Sequence, residues 1–424
     1  MEGTEKNNAL YANAVKVVVI FGLISLFGDI VYEGMRGSYG PYLETIGIKL
    51  SEFAFIVGIG EFLAYSLRLL AGAASDKTKK YWWFIYLGYG LLIVVPLIGF
   101  IDGKRFLPAL LAFMMIERIG KALRNPAKDT ILSHVADSAG GKLGMGFAFG
   151  LQEALDKLGA FLGPMIFTVV FLVTKNLKGP DHVIGAVEYR TGFKFMIIPY
   201  VLLMLVVFIA HRKVTSEKLM EVKDRPASKA DKLQGVFWIY TVFTFLALLG
   251  FAQLPLIAYH IKAKNILPDA QIMMLYSMVM VIDALFALAI GHIYDRVKKK
   301  TGNKKAGLLT LLFIPFVTAL VPFLALGNSI PLLIAGLVCY GMILGAHETI
   351  MRSAIADITS LRKRGTGYGI FNTAYGLALL AGSNLFGYLY ENFGISTIQI
   401  VFVVAEVLAV ILFMIMRFQI KKAA

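Results

Sequence analysis

Apolar runs of about 20 residues recur along the whole chain, each ended by a short polar or charged connection, and this constrains the fold more than any other feature. A bilayer core is about 30 Å thick, and a helix rising 1.5 Å per residue crosses it once in a run of that length. Twelve spans are expected, at 14–35, 52–73, 82–101, 107–124, 144–173, 192–210, 235–259, 270–293, 306–326, 330–351, 367–390 and 395–417. Composition agrees. The chain is 58% hydrophobic and 16% charged, with a mean hydropathy of +0.72, where a soluble domain is about a quarter charged. The fold class is therefore all-α, a polytopic membrane protein with twelve transmembrane helices. Cys339, the single cysteine, lies inside a run, which excludes a disulfide framework and a thiolate metal site. The N-terminus lacks the charged region, short apolar core and small-residue cleavage site of a secretory signal, so no cleaved leader is expected.

Basic residues orient the spans. The net charge of +15 would suggest a nucleic-acid partner in a soluble protein. Here the Lys and Arg residues gather in alternate connections: Lys77, Lys79 and Lys80, then Arg124, Lys128 and Lys142, then seven between Arg212 and Lys232. Arg296, Lys298, Lys299, Lys300, Lys304 and Lys305 follow, and then Arg362, Lys363 and Arg364. The positive-inside rule places that face in the cytoplasm together with both termini, in the cell (inner) membrane.

Repetition divides the chain. Gly72–Lys80 (GAASDKTKK) is echoed by Gly291–Lys300 (GHIYDRVKKK), with Asp76 and Asp295 219 residues apart. Ala136-Asp137 is answered by Ala356-Asp357 at an offset of 220, and Gly146-Phe147 by Gly367-Tyr368 at 221. Constant spacing on one face implies two parallel six-helix bundles related by an axis along the membrane normal, with a cavity between them that opens alternately. The expected divisions are 1–210, a polar cytoplasmic linker at 211–234 containing Pro226 and Ser228, and 235–424.

These motifs resemble the major facilitator superfamily across essentially the whole chain. The first hinge is similar to that family's loop between helices 2 and 3, and the second to its repeat between helices 8 and 9. The resemblance implies gating roles for Gly72, Asp76, Lys77, Gly291, Asp295 and Arg296, with Asp76 helping to lock the halves in the outward-facing state. The chain departs from the pattern by carrying Lys79 where Gly is common. ERIGKALRNP is similar to the family's intramembrane Arg motif, with Arg118 at the matching position. GAFLGP, which is Gly159-x-x-x-Gly163-Pro164, is similar to the motif of drug/proton antiporters, although the Gly pair that usually follows is missing. By resemblance, helices 1, 4, 7 and 10 line the cavity.

Ionisable groups inside a membrane are costly and are functional candidates by default. Glu33 and Arg36, Glu117 and Lys121, and Glu153 and Lys157 stand three or four residues apart, as paired neighbours on a helix face do. Asp29, Glu61 and Asp156 lack an opposite charge at that spacing. Glu153 and Asp156, one turn apart, compete for one proton and form a candidate proton site. Asp29 lies about 22 Å along helix 1, in the outer half. The proton-coupling or substrate-binding candidates are thus Asp29, Glu33, Glu61, Arg118, Glu153, Asp156 and Asp283, with Gln253, Tyr259, Asn372 and Tyr375 as cavity-lining candidates. Tyr259 and His260 fit substrate contact and interfacial anchoring equally. His347 and Glu348, being adjacent, point to different helix faces, so an ion pair at the cytoplasmic end is expected rather than a metal site. Small residues at Gly159 and Gly163 let helices approach closely and Pro164 can kink the fifth span, so these three join the gating candidates.

No phosphate-cradling Gly-Lys-Ser/Thr loop is present, so the energy source is an ion gradient rather than ATP, and no enzyme chemistry is indicated. The expected function is secondary active transport by alternating access, as a proton-coupled exporter of a small organic or amphiphilic solute. The alternatives are an uptake symporter, a metal-ion exporter, or a lipid or lysolipid transporter without ion coupling. No cofactor, metal or nucleic-acid partner is expected. The partners are a small-molecule substrate, protons and membrane lipids, and the chain is expected to act as a monomer.

Overall fold

The computed structural model describes residues 2–138, 145–216, 233, 235–301, 304–359 and 364–422. Most of the 211–234 connection and the side chain of Asp137 lie outside the described residues. All regular structure among the described residues is helical. In chain order the helices are α1 (Glu2–Thr45), α2 (Leu50–Thr78), α3 (Tyr81–Gly90), α4 (Val94–Ile98), α5 (Leu107–Ser138), α6 (Met145–Lys178), α7 (Ala186–Phe195) and α8 (Ile197–Ser216). They continue as α9 (Gly235–Leu249), α10 (Leu254–Ala263), α11 (Asp269–Thr301), α12 (Phe313–Ala325), α13 (Ile330–Ala346), α14 (Arg352–Ile358), α15 (Arg364–Asn392) and α16 (Ile395–Lys422).

Among the described residues, ten helices are long and apolar enough to cross a membrane. Helices α5 and α15, of 32 and 29 residues, are long enough but carry more polar residues. Several helices outrun the apolar stretches that announce them. The fourth span, expected at 107–124, continues to Ser138, and the eighth, expected at 270–293, continues to Thr301. Hydropathy marks only the part of a helix that meets lipid, whereas the hydrogen-bond ladder persists into polar surroundings.

Local chemistry sets the interruptions. Between α9 and α10 the chain is unwound at 250–253, where Gly250 precedes an extended Gln253 and Pro255 opens the next helix. Proline is suited to a helix's first turn because its missing N–H would be unpaired there anyway. The Leu254 N–H is taken up by the Tyr340 hydroxyl at 3.0 Å. Between α13 and α14 a π turn, His347–Met351, adds one residue to the helical repeat. Lys79 adopts φ +57°, a left-handed conformation that costs a residue with a Cβ about 1–2 kcal/mol and glycine almost nothing.

The chain forms two compact units. The first comprises Met1–Ser38 and Leu67–Pro226, and the second Tyr39–Ser66 and Ala227–Ala424. In the first, α6 crosses α1 at glycines: a Cβ built on Gly163 would lie 2.5 Å from the Gly34 nitrogen and the Ile30 oxygen. Helices α3 and α5 meet in the same way at Gly88 and Gly120. In the second unit, residues 39–66 fasten to α10 and α15. A Cβ on Gly387 would come within 2.8 Å of the Ser51 Cα, and one on Gly58 within 3.0 Å of the Leu380 Cα. Glu391 accepts hydrogen bonds from the Ser51 N–H and hydroxyl at 2.9 and 2.7 Å, placing a carboxylate at the start of α2 where the helix dipole favours it.

Candidate functional site

The first unit holds a buried polar network between α1, α5 and α6. Asp29 of α1 and Asp156 of α6 approach each other there and act on one another electrostatically. A Cβ on Gly159 would lie 3.2 Å from the Asp29 Cβ, so the glycine crossing is what lets the two carboxyl groups meet. Two carboxyl groups in close approach repel when both are ionised, which favours a proton on one of them. Lys121 and Lys128 of α5 act electrostatically on both acids. Lys128 donates to the Ser25 hydroxyl at 2.9 Å, and the Lys121 ammonium stands 3.4 Å from the centre of the Tyr32 ring. Positive charge over an aromatic face is favourable, most of all away from water.

The same network places other candidates. Glu33 is buried and pairs with Arg36 at 3.4 Å. Arg118 is buried, donates to the Tyr32 hydroxyl and lies 3.5 Å from Glu117. Glu117, fully buried, also stands 4.0 Å from Arg124. Helix spacing had suggested Glu117 opposite Lys121. Two guanidiniums flank Glu117 instead, and Lys121 turns to the Tyr32 ring. Glu153 is exposed and pairs with Lys157 at 3.8 Å, while Asp156 faces inward to Asp29. Asp156 thus meets an acid on another helix rather than its neighbour one turn away.

In the second unit Gln253 is buried at the helix break and donates to the Ser383 hydroxyl at 2.6 Å. Tyr259 belongs to the packed end of that unit: its hydroxyl donates to the Ile48 carbonyl at 2.8 Å and its ring stacks on Phe53. Asp283 is fully buried on α11, where Gly345 makes the helix crossing close. Asn372 and Tyr375 line a narrow recess together with Tyr65, His347, Glu348, Arg352 and Phe371. Glu61, buried one turn before Tyr65, acts electrostatically on Tyr375.

At the hinges, Asp76 is exposed and accepts from the Tyr81 hydroxyl at 3.2 Å, with Lys77 exposed beside it. Gly72 packs against Pro126 and Gly291 against Thr349. Asp295 and Arg296 are exposed. Near the second hinge Asp357 accepts from Lys298 at 2.7 Å and from the Tyr294 hydroxyl at 2.7 Å. The signal was present in the repeat, since Lys298 and Asp357 answer Lys79 and Asp137 at offsets of 219 and 220. Pro164 sits within α6, one residue beyond the Gly163 contact. Among the described residues no group of three or more His, Cys, Asp or Glu is placed to hold a metal ion.

Membrane-length helices around a buried charged network define an integral, multi-pass membrane protein. The Major Facilitator Superfamily model matches residues 21–301 and 242–423, and the chain belongs to that family. It is a membrane transporter and not an enzyme. It is 32% identical to an uncharacterized protein of Mycobacterium tuberculosis over 96% of this chain and 94% of that one. An uncharacterized MFS-type transporter of Methanocaldococcus jannaschii is 26% identical, over 97% and 96% of the two chains. The crystal structure of the nucleoside transporter NupG shares the fold, with a TM-score of 0.69 at 14% identity over 94% of this chain and 99% of that one.

Proposed function

We propose that the chain is a proton-coupled secondary transporter that exports a small organic or amphiphilic solute by alternating access, with its proton held between Asp29 and Asp156. The observation that carries this reading is the close approach of α1 and α6 at Gly159, whose added Cβ would lie 3.2 Å from the Asp29 Cβ, with Asp156 one turn earlier on α6 acting on Asp29 across the crossing. When the shared proton leaves, the two carboxylates repel; two unit charges at a separation of about 4 Å do so by about 4 kcal/mol at an effective dielectric constant near 20. A bias of that size moves a two-state equilibrium by about a thousandfold. The repulsion acts where α1 and α6 touch through glycine, so proton loss is felt directly as a force between two helices. Lys121 and Lys128 bound it, since either ammonium can draw nearer as negative charge appears.

Export rests on the Gly159–Pro164 motif and its likeness to drug/proton antiporters. In the proposed topology α5 and α15 also cross the membrane, giving twelve spans in two parallel six-helix halves, 1–210 and 235–424, joined at 211–234. Both termini lie in the cytoplasm, the basic connections face it, and one chain suffices for transport. The fastening of residues 39–66 to α10 and α15 then serves as a seal on the opposite side.

Infrared difference titration of the reconstituted protein tests the proton site. A carboxyl band that titrates in the wild type is expected to vanish in both Asp29→Asn and Asp156→Asn. In proteoliposomes loaded with amphiphilic dyes, an imposed pH gradient is expected to drive dye movement in the wild type only. A band that survives either substitution, or movement indifferent to the gradient, would refute the reading.

A further inference from the structure

Glu406 is a buried acid that the proton pair does not use. It stands near the middle of the apolar span Ile395–Ile420 on α16 and is 2% exposed. Neither of its carboxyl oxygens finds a hydrogen-bond partner among the described residues. Its head lies against the break between α9 and α10. A Cβ on Gly250 would come 2.5 Å from the Glu406 Oε1 and 3.3 Å from its Cδ, so a side chain at 250 would displace the acid. The break is irregular backbone at membrane depth, which is tolerated only inside protein or beside water. In a continuous helix the Leu254 N–H would bond the Gly250 carbonyl, and here the Tyr340 hydroxyl takes it.

No opposite charge answers the acid. Helices α9, α12 and α15 and the 304–312 stretch pack on α16. Of these, α9 and α12 contain no charged residue, α15 has Arg364 and Glu391 at its two ends, and 304–312 has Lys304 and Lys305 at its start. On α16 itself the nearest charge is Arg417, three turns on. The inward tyrosine hydroxyls of α9 and α15 are engaged elsewhere: Tyr240 by the Met351 carbonyl, Tyr375 by His347 and Tyr390 by His260. An isolated carboxylate in such surroundings is so costly that the group keeps its proton instead.

We infer that Glu406 is a second proton-binding site of the transporter, a neutral carboxylic acid while the α9–α10 break is packed against it, which gives up its proton when the break opens to water. The inference goes beyond the Asp29–Asp156 reading and uses no part of it. Discontinuous helices are where many transporters hold their coupling ions. Linkage gives the sign. The packed form holds the proton, whereas the opened form, with the acid in water, releases it above the ordinary glutamate value of about 4.3. Opening is therefore disfavoured in acid and grows with pH by up to about tenfold per unit, the limit for one linked proton.

Two measurements on the full-length protein in detergent test this. At neutral pH the infrared spectrum of the wild type should contain a neutral-carboxyl band at the high-frequency end, where carbonyls without a hydrogen-bond donor absorb. That band should shift on isotopic labelling of the glutamate carboxyls, stay constant with pH while the protein is packed, and be missing from Glu406→Gln. The aspartate band titrates and ignores the label, so the two sites are told apart. Amide exchange at residues 250–256, divided by its intrinsic pH dependence, should rise by about tenfold per pH unit in the wild type and stay flat in Glu406→Gln. Lack of the glutamate band, a flat wild-type ratio, or an equal rise in the variant would overturn the proposal. If Glu406→Gln does not fold, the labelled wild-type spectrum and the wild-type exchange slope decide. Neither measurement uses a gradient, so failure here leaves the aspartate pair standing, and failure of gradient-driven movement leaves Glu406 standing.

Discussion

Gly163→Ala and Gly150→Ala form a matched pair on α6 that isolates the cost of the α1 crossing. Non-bonded carbons attract best at 3.5–4.0 Å. A Cβ at position 163 would lie 2.5 Å from the Gly34 nitrogen, 2.5 Å from the Ile30 oxygen and 3.0 Å from the Gly34 Cα. All three are backbone atoms, so no rotamer change relieves the clash, and the helices must part by about 1 Å to restore contact distances. Forcing one extra carbon into a packed contact of this kind costs about 1–3 kcal/mol. At position 150 an added Cβ meets nothing within 4 Å. Alanine also gains about 1 kcal/mol of helix propensity over glycine, a gain both variants share. The difference between the two variants therefore reports the crossing itself, and Gly163→Ala should be the less stable by about 1–3 kcal/mol. Reversible unfolding in mixed micelles, followed by circular dichroism, measures that difference. Because Asp29 and Asp156 meet beside the same crossing, Gly163→Ala should also weaken the carboxyl band while Gly150→Ala leaves it intact. Indistinguishable stabilities would refute the reasoning, and with it the claim that close backbone approach holds the acids together.

Other perturbations follow from particular contacts. Asp357→Asn should cost about 1–3 kcal/mol in thermal unfolding, since it removes a charge-assisted bond to Lys298 whose partners are 13% and 25% exposed. Adding Lys298→Gln should cost little more, and fully additive losses would show that the pair is not coupled. Glu188→Ala strips a buried acceptor from Lys178, His182 and the Gly185 N–H, each at 2.9 Å, and should cost about 2 kcal/mol. Glu188→Gln, which can still accept from the Gly185 N–H, should fall between. Amide exchange at residues 185–189 would separate the three proteins.

How far the sequence shows the proton pair depends on helical phase. Asp29 and Asp156 stand out because neither has an opposite charge one turn away, yet nothing local says that they meet. Position along α6 says more. At 100° per residue, Asp156 lies within about 20° of Gly163 around the helix, while Glu153 lies about 80° away. The glycine that marks the close crossing thus already marks which acid faces it, and the structure exposes Glu153 and turns Asp156 inward. Pairing by spacing failed at Glu117 for a related reason. The one-turn rule describes solvated helix surfaces. Inside the protein a ring on another helix, that of Tyr32, took Lys121. The recess was the least legible feature, because a π turn has no residue signature here and without it His347 and Glu348 belong to different faces. Charge at the membrane surface can be read from composition and position. Charge inside it is decided by which backbones can touch, and in this chain the glycines of α1 and α6 and the extra residue after α13 decide where the acids and bases meet.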